Sequence, residues 1–225
     1  MATQLTFDLP VKVSRDRGDF FVSSANALAV ARLDDTGGWA QCKLALAGPE
    51  GAGKSHLAHV WAEAEGGAVL KLDSLTGLDI AGLATPLAVD VTNLPADSAT
   101  EEALFHLHNH MQSQGLALML VARDAPSRWP IALPDLKSRM AATDVVEIDA
   151  PDDALLAAVL VKLFADRQLN VPLSVVQYLT RHMERSFAAA QRVVAVLDDL
   201  ALTECRDITR TLAQRVLDNL PTDAQ

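Results

Sequence analysis

The run GPEGAGKS at residues 48–55 constrains the fold of this chain more than any other stretch. It has the spacing G-x-x-x-x-G-K-[ST], and it lies between an apolar run at 44–47 and a segment with helical periodicity at 56–62. In this order of strand, loop and helix, such a loop surrounds phosphate groups with backbone N–H groups. The sequence therefore predicts a nucleotide-binding α/β domain. A glycine-rich turn that contains a chance Lys-Ser pair is the alternative.

The residues of this loop have distinct expected roles. Glycines let the backbone approach an anion closely, and the N-terminus of the following helix adds a partial positive charge. Lys54 would reach the terminal phosphates, and the Ser55 hydroxyl would bind Mg²⁺. These contacts are common to ADP and ATP. The predicted nucleotide-binding residues of the loop and the helix start are Gly48, Gly51, Ala52, Gly53, Lys54, Ser55 and His56.

A second predicted metal contact is Asp90, at the end of the apolar stretch 87–91. A carboxylate at the end of a strand near a phosphate-binding loop commonly holds Mg²⁺ through water, although an ordinary strand-end Asp is the alternative. The next residues, Val91, Thr92 and Asn93, include no second carboxylate that could polarise an attacking water. Nucleotide binding is therefore predicted more firmly than intrinsic ATP hydrolysis.

The charge of the chain bears on its partners. The 225 residues carry a formal net charge of −10, and half of them are apolar. DNA binding depends on Lys and Arg that displace counterions, so we expect no direct sequence-specific DNA binding. The first residues lack a basic start followed by an apolar core, and no apolar run approaches the roughly 18 residues of a membrane span. We therefore expect a cytoplasmic protein without a membrane partner.

The periodicity of the chain changes near residue 150. Further strands are predicted at 68–72, 116–122 and 144–148. Within 19–33 the serine pair at 23–24 is expected to cap an Ala-rich helix, and a longer helix is predicted at 98–114. From Pro151 onward the pattern is helical, with helices near 152–168, 172–183, 186–203 and 207–219. The expected organisation is an N-terminal tail at 1–10, a parallel α/β domain at 11–150 and a small helical domain at 151–225. His106 and His110 share a helix face, but without a third ligand packed or solvated histidines are favoured over a metal site.

The tail has a pattern of its own. Leu5, Phe7 and Leu9 alternate with polar residues, so an extended tail presents all three on one face. The tail could be an edge strand or a disordered segment. Alternatively, it is a peptide that docks in the apolar groove of a partner, with Gln4 making a polar contact.

Taken together, these motifs resemble those of the AAA+ family and, within it, the replication initiator DnaA. The stretch 53–57, GKSHL, is similar to the GKTHL of that family's loop, and 136–139, LKSR, resembles its L-x-S-R box. The arginine of that box reaches the nucleotide of a neighbouring subunit, which implies this role for Arg139. The residues at 184–187, ERSF, resemble the start of the second-sensor helix and imply that Arg185 contacts the nucleotide of its own chain.

The resemblance adds further nucleotide contacts. The stretch 19–22 with Asn26 resembles the segment that covers the adenine in DnaA-like proteins, and Asp124 falls where the family places its first sensor. The contacts implied in this way are Phe20, Phe21, Val22, Asn26 and Asp124. AAA+ modules often assemble with nucleotide at the interface, so self-association, such as a homodimer, is also expected.

The short tail, and a chain that ends after the helical region, resemble the layout of Hda-type (HdaA) regulators of DnaA. This resemblance implies that Gln4, Leu5, Phe7 and Leu9 bind the DNA polymerase sliding clamp (beta subunit). It also implies an ADP-bound protein that stimulates ATP hydrolysis by DnaA, with Arg139 as an arginine finger, and so restrains replication initiation. An autonomous AAA+ ATPase or loader and a nucleotide-gated adaptor remain the alternatives for the function. For Arg139 the alternative is a surface or interdomain salt bridge.

Overall fold

Five short parallel strands form a single sheet in a computed structural model that describes residues 22–95, 97–204 and 206–219. The strands are β1 (Lys43–Ala47), β2 (Ala68–Lys71), β3 (Leu87–Asp90), β4 (Leu118–Val121) and β5 (Asp144–Glu147). Their order is β2-β3-β4-β1-β5. All residues of β1 and β4 are buried because helices cover both faces of the sheet. The five predicted strands are confirmed, with ends shifted by one or two residues.

Eight α-helices surround and follow the sheet within the described ranges. They are α1 (Ala27–Asp34), α2 (Lys54–Ala64), α3 (Ser98–Gln114), α4 (Pro134–Ala141), α5 (Asp153–Asp166), α6 (Leu173–His182), α7 (Phe187–Thr203) and α8 (Arg210–Asn219). Three of these helices have a side-chain N-cap, which is Asp97 for α3, Asp152 for α5 and Ser186 for α7. Each of these side chains accepts a hydrogen bond from a backbone N–H three residues later. The predicted helices after the phosphate-binding loop are confirmed, and the prediction of 98–114 has the observed bounds.

The start of the first helix differs from the prediction. The serine pair was expected to cap it, but α1 begins at Ala27 with Asn26 at the N-cap position. Ser23 instead begins a turn, in which its backbone N–H donates to Asn26 Oδ1 at 2.8 Å. A turn closed by the Asn side chain delays the helix by one turn.

The core is built in layers. On one face of the sheet, α1 and α2 pack against side chains such as Leu44, Leu46 and Met119. On the other face, α3 and α4 pack against residues such as Leu118 and Leu120. Helices α5–α8 form a third apolar cluster of their own, from Leu156 to Val216.

The helical region also joins the first layer, because Leu155 and Phe187, at the starts of α5 and α7, belong to its core. No helix in the described part of the chain is long and apolar enough to cross a membrane. We call the sheet edge at which the strands end the carboxyl edge, and the opposite one the amino edge. Ligand-contacting groups of open parallel sheets gather at the carboxyl edge.

Candidate functional site

The predicted phosphate-binding loop lies at the carboxyl edge, between β1 and α2. Gly51 and Gly53 have φ angles of 76° and 83°, which residues with a Cβ atom rarely adopt. A Cβ atom on Gly51 would lie 2.8 Å from Cβ of Phe187. The start of α7 therefore packs directly on the loop, and only glycine fits at this contact.

Lys54, the first residue of α2, is 8% exposed. Its Nζ donates to the carbonyl oxygens of Gly48 at 2.8 Å and Pro49 at 2.7 Å. Burial lowers the pKa of Lys54, while the carboxylates of Asp90 and Glu50 act in the opposite direction. The Lys54 ammonium group thus binds two carbonyl oxygens of the loop, and a bound phosphate would compete with these carbonyls for the ammonium group.

The two predicted metal contacts differ in their surroundings. Asp90 ends β3, and its Oδ1 accepts hydrogen bonds from the backbone N–H of Thr92 at 3.0 Å and from its hydroxyl at 2.6 Å. Ser55 is exposed in the first turn of α2. Among the described residues, no group of three or more His, Cys, Asp or Glu could hold a metal by itself. A hydroxyl and one carboxylate suit Mg²⁺, which takes its remaining ligands from phosphates and water.

Arg185 lies in the bend between α6 and α7, two residues ahead of the contact between Phe187 and the loop. Its Nη2 is 2.8 Å from Oδ1 of Asp153, and both side chains are more than half exposed. An exposed ion pair contributes only about 0–1 kcal/mol. Arg185 would therefore lose little free energy if it left Asp153 to contact a phosphate.

Asp124 follows β4 and is exposed, with Oδ1 3.7 Å from Arg128 Nη1. Its backbone carbonyl accepts a hydrogen bond from Trp129 Nε1 at 2.8 Å. The neighbouring Arg123 was not predicted as a site residue. Its carbonyl accepts from the backbone N–H of Gly48 at 3.2 Å, and its charge contributes to the lowered pKa of Lys54. Its position at the tip of a buried strand is the sequence signal that could have identified it.

The segment predicted to cover the adenine is described only in part. Asn26 is 2% exposed, and its Oδ1 accepts the hydrogen bond from the backbone N–H of Ser23 that closes the turn ahead of α1. Val22 is 51% exposed, beside Leu57 and Trp61. The other predicted contacts at the N-terminus, Phe20, Phe21, Gln4, Leu5, Phe7 and Leu9, lie outside the described residues.

Arg139 is far from the loop of its own chain. Its Cζ lies 5.3 Å from the ring centroid of Phe105 on α3. Its charge lowers the pKa of both Lys43 and His108, and Lys43 begins β1 at the amino edge. The five residues of β1 separate this edge from the loop by about 13 Å. No carboxylate of the described residues forms an ion pair with Arg139.

A buried pair of titratable groups lies beside Arg139. Lys43 is 1% exposed, and its Nζ contacts Gln41 Oε1 at 2.9 Å and His108 Nε2. Burial lowers the pKa of Lys43 to about 8 and that of His108 to about 4, and Arg139 adds to both shifts. His110 Nε2 is 2.8 Å from the carbonyl oxygen of Leu83. His108 and His110 are therefore packed residues.

Comparisons with known proteins agree with this fold. No protein-family model matches the chain. An uncharacterized protein of Haemophilus influenzae is 23% identical over 129 residues, which cover 57% of this chain and 56% of that protein. The match thus spans little more than half the length of this relative.

Similar solved structures cover most of the chain. Domain III of the replication initiation protein DnaA from Thermotoga maritima has a TM-score of 0.75 at 14% identity, covering 94% of this chain and 98% of that domain. AMPPCP-bound DnaA from Aquifex aeolicus has a TM-score of 0.61 at 16% identity, covering 82% and 65%. A RuvB variant of Thermotoga maritima has a TM-score of 0.63 at 17% identity, covering 90% and 71%. The chain has the fold of the AAA+ domains of DnaA and RuvB, and the predicted fold class is confirmed.

Proposed function

We propose that this protein is a DnaA-related negative regulator of replication initiation. It binds ADP or ATP with Mg²⁺, acts in the cytoplasm at the DNA polymerase sliding clamp, and stimulates ATP hydrolysis by DnaA. The similarity to domain III of DnaA over 94% of the chain supports a relationship to the initiator. The AMPPCP in a similar DnaA structure supports an adenine nucleotide on residues 48–55.

The observation that carries this proposal is the setting of Arg139. Its guanidinium is half-buried on the ring of Phe105, with Lys43 and His108 nearby and no carboxylate partner among the described residues. A cation in these surroundings favours an anion that comes from outside the chain. The nucleotide of its own chain lies at the opposite edge of the sheet. A phosphate of a nucleotide on DnaA is an anion from outside the chain that can reach this edge. An arginine finger that contacts such a phosphate can increase the rate of hydrolysis by about 10³–10⁵.

The chain's own site favours holding a nucleotide over hydrolysing it. Asp90 Oδ1 already accepts two hydrogen bonds from Thr92, and residues 91–93 supply no second carboxylate. Ser55 and Asp90 would hold Mg²⁺, and Lys54 and Arg185 would contact the phosphates. In this role the bound nucleotide fixes the start of α7 against the loop and so orients α5–α8.

The tail supplies the proposed connection to the clamp. A short peptide with Gln4, Leu5, Phe7 and Leu9 has the alternation needed to fill an apolar groove on a partner. Tethering to a clamp that DnaA also reaches raises the local concentration of Arg139 near the initiator without any new contact.

The proposal is tested by measuring DnaA-ATP hydrolysis with purified clamp loaded on DNA, with the full chain and with a chain lacking residues 1–10. Hydrolysis is expected to rise only with the full chain. Removing the clamp should abolish the rise as well. If neither chain changes hydrolysis by DnaA although the full chain binds the clamp, the protein is an adaptor. ATP turnover by this protein alone, without DnaA or clamp, would identify an autonomous ATPase.

A further inference from the structure

An apolar groove lies between α1 and α2, apart from the phosphate-binding loop. Its cavity measures about 260 Å³. Its apolar lining consists of Val22, Val30, Leu33, Leu57, Val60, Trp61 and Ala64, and Asp34 and Glu65 complete it. The lining residues of α2 recur at intervals of three and four, so they form one face of that helix.

Trp61 forms the base of the groove and is fixed by its neighbours. Trp61 stacks on Trp39 with ring centroids 5.2 Å apart and an interplanar angle of 22°. Its Nε1 donates to the hydroxyl of Thr36 at 3.0 Å, and the side chain is only 3% exposed. Because Trp61 is fixed in this way, the groove does not close by movement of this side chain, and another segment can fill it.

The two ends of the groove lie at opposite edges of the sheet. Next to Val22, the Ser24 hydroxyl donates to Asp152 at 2.8 Å and the Ala25 carbonyl accepts from Asp149, so this end lies at the carboxyl edge. Arg32, in the last turn of α1, forms an ion pair at 2.8 Å with Asp144, which begins β5 at the amino edge. Asp34 ends α1 and Glu65 follows α2, so the acidic end of the groove is near the amino edge.

We propose that the occupant is the segment of this same chain just ahead of Val22, residues 12–21. Phe20 and Phe21 are apolar and directly precede a residue that already lines the groove. Lys12, Arg15 and Arg17 lie further upstream. The order of residues upstream of Val22 thus corresponds to the order of surfaces along the groove. The aromatic residues come first, next to the apolar part, and the cations follow, toward Asp34 and Glu65.

The dimensions agree with this placement. From Leu57 to Ala64 the groove follows α2 for about 10 Å, at 1.5 Å per residue. An extended chain advances about 3.3 Å per residue, so two or three residues before Val22 are enough to span the apolar part and five are enough to bring Arg17 to the acidic end. This inference is independent of the proposed function.

Disulfide trapping tests the placement in the full chain. In a background with Cys42→Ser and Cys205→Ser, Gly18→Cys is paired either with Ala64→Cys at the acidic end of the groove or with Leu28→Cys. Leu28 is 68% exposed on α1, two residues before Val30 and outside the groove lining. It is nearer to residue 18 in sequence, so chain entropy alone favours the control pair.

We expect the pair of Gly18→Cys and Ala64→Cys to close about tenfold faster than the control, because docking raises the effective concentration of the two thiols. Adding Phe20→Ser and Phe21→Ser should remove this preference. Equal rates, or a preference that survives loss of both aromatic residues, would overturn the proposal. Disulfide-linked dimers would also overturn the proposal, because they indicate that a second copy of the chain occupies the groove. Loss of cross-linking on addition of ADP with Mg²⁺ would overturn it as well, because it indicates that the adenine base occupies the groove.

Discussion

The buried contact between Lys43 and His108 is the least expected feature at the scale of single residues. His108 is fully buried, and its pKa is lowered to about 4 from its ordinary 6.5. The unfolded chain therefore takes up this proton at a higher pH than the folded chain. The resulting stability is present above pH 6.5 and is lost as the pH falls toward 4.

We predict that the free energy of unfolding decreases by on the order of 2 kcal/mol between pH 6.5 and pH 4 because of His108. Urea unfolding of the wild type and of His108→Gln across this range measures the effect. The exposed neighbour His106→Gln is the matched control and should keep the wild-type slope. A variant at position 108 with an unchanged slope would show that the histidine does not titrate as described.

Lys43 also changes from a cation to a neutral base as the pH rises, so it gives a slope of the same sign as His108. Its pKa falls to about 8 from 10.5, so the folded chain releases the proton at a lower pH than the unfolded chain. The free energy of unfolding should rise with pH between about 8 and 10.5, and Lys43→Met should abolish this rise. Urea unfolding at pH 8 and pH 10 compares the two chains. An equal rise in both would contradict the assignment.

Local features of single residues could be predicted from the sequence, and contacts between distant residues could not. The residues at 48–55 could be predicted because their pattern is local and leads into a helix. The contact between Lys43 and His108 could not, since it joins residues 65 positions apart. The hydrogen bond from Ser23 to Asn26 could not be predicted either, because the sequence favours a helix cap at the serine pair.

At the scale of elements, α3 positions α4 and therefore Arg139. Glu101 is 2% exposed, and its carboxylate accepts hydrogen bonds from the backbone N–H groups of Ala132 at 2.9 Å and Leu133 at 2.7 Å, just before α4 begins. One turn later on α3, Phe105 lies under Arg139. A single helix thus anchors the start of α4 and supports its arginine.

We predict that Glu101→Gln lowers the free energy of unfolding by about 1–3 kcal/mol, because the backbone N–H groups of Ala132 and Leu133 lose a charged acceptor. Glu102→Gln, at the exposed neighbouring position, is the matched control and should change it by less than about 0.5 kcal/mol. Urea unfolding at pH 7 measures both variants. Equal effects would show that the hydrogen bonds of the Glu101 carboxylate do not anchor α4.

Helix bounds were predictable where the capping residues are local. The prediction for α3 has the observed ends because Asp97 caps its start and Gly115, with a φ angle of 64°, ends it. The start of α1 was missed because a turn competes with the helix for Ser23. The strand order could not be read from periodicity alone, since pairing of β1 with β4 and β5 depends on distant segments.

At the scale of the whole molecule, the contact between Gly51 and Phe187 joins the phosphate-binding loop to α5–α8. A nucleotide on the loop therefore lies against the start of α7, which also carries Arg185 just ahead of it. This contact offers a physical path from the nucleotide to the orientation of the helical region.

We predict that Gly51→Ala lowers the melting temperature and weakens ADP binding. The new Cβ would lie 2.8 Å from Phe187, and a left-handed φ costs a residue other than glycine about 1–2 kcal/mol. Gly37→Ala is the matched control, since nothing lies within 4 Å of its Cβ position. Thermal unfolding and calorimetric ADP titration measure both variants. Wild-type values for Gly51→Ala would contradict the close contact.

The central claim is that Arg139 acts on a nucleotide bound to DnaA, and the most direct test is DnaA-ATP hydrolysis on clamp-loaded DNA with Arg139→Ala. The account predicts that the stimulated rate falls to that of DnaA alone, while binding to the clamp and to ADP is retained. Lys137→Ala, an exposed cation on the same helix, should keep the wild-type rate. An Arg139→Ala protein that stimulates hydrolysis as strongly as the wild type would contradict the claim.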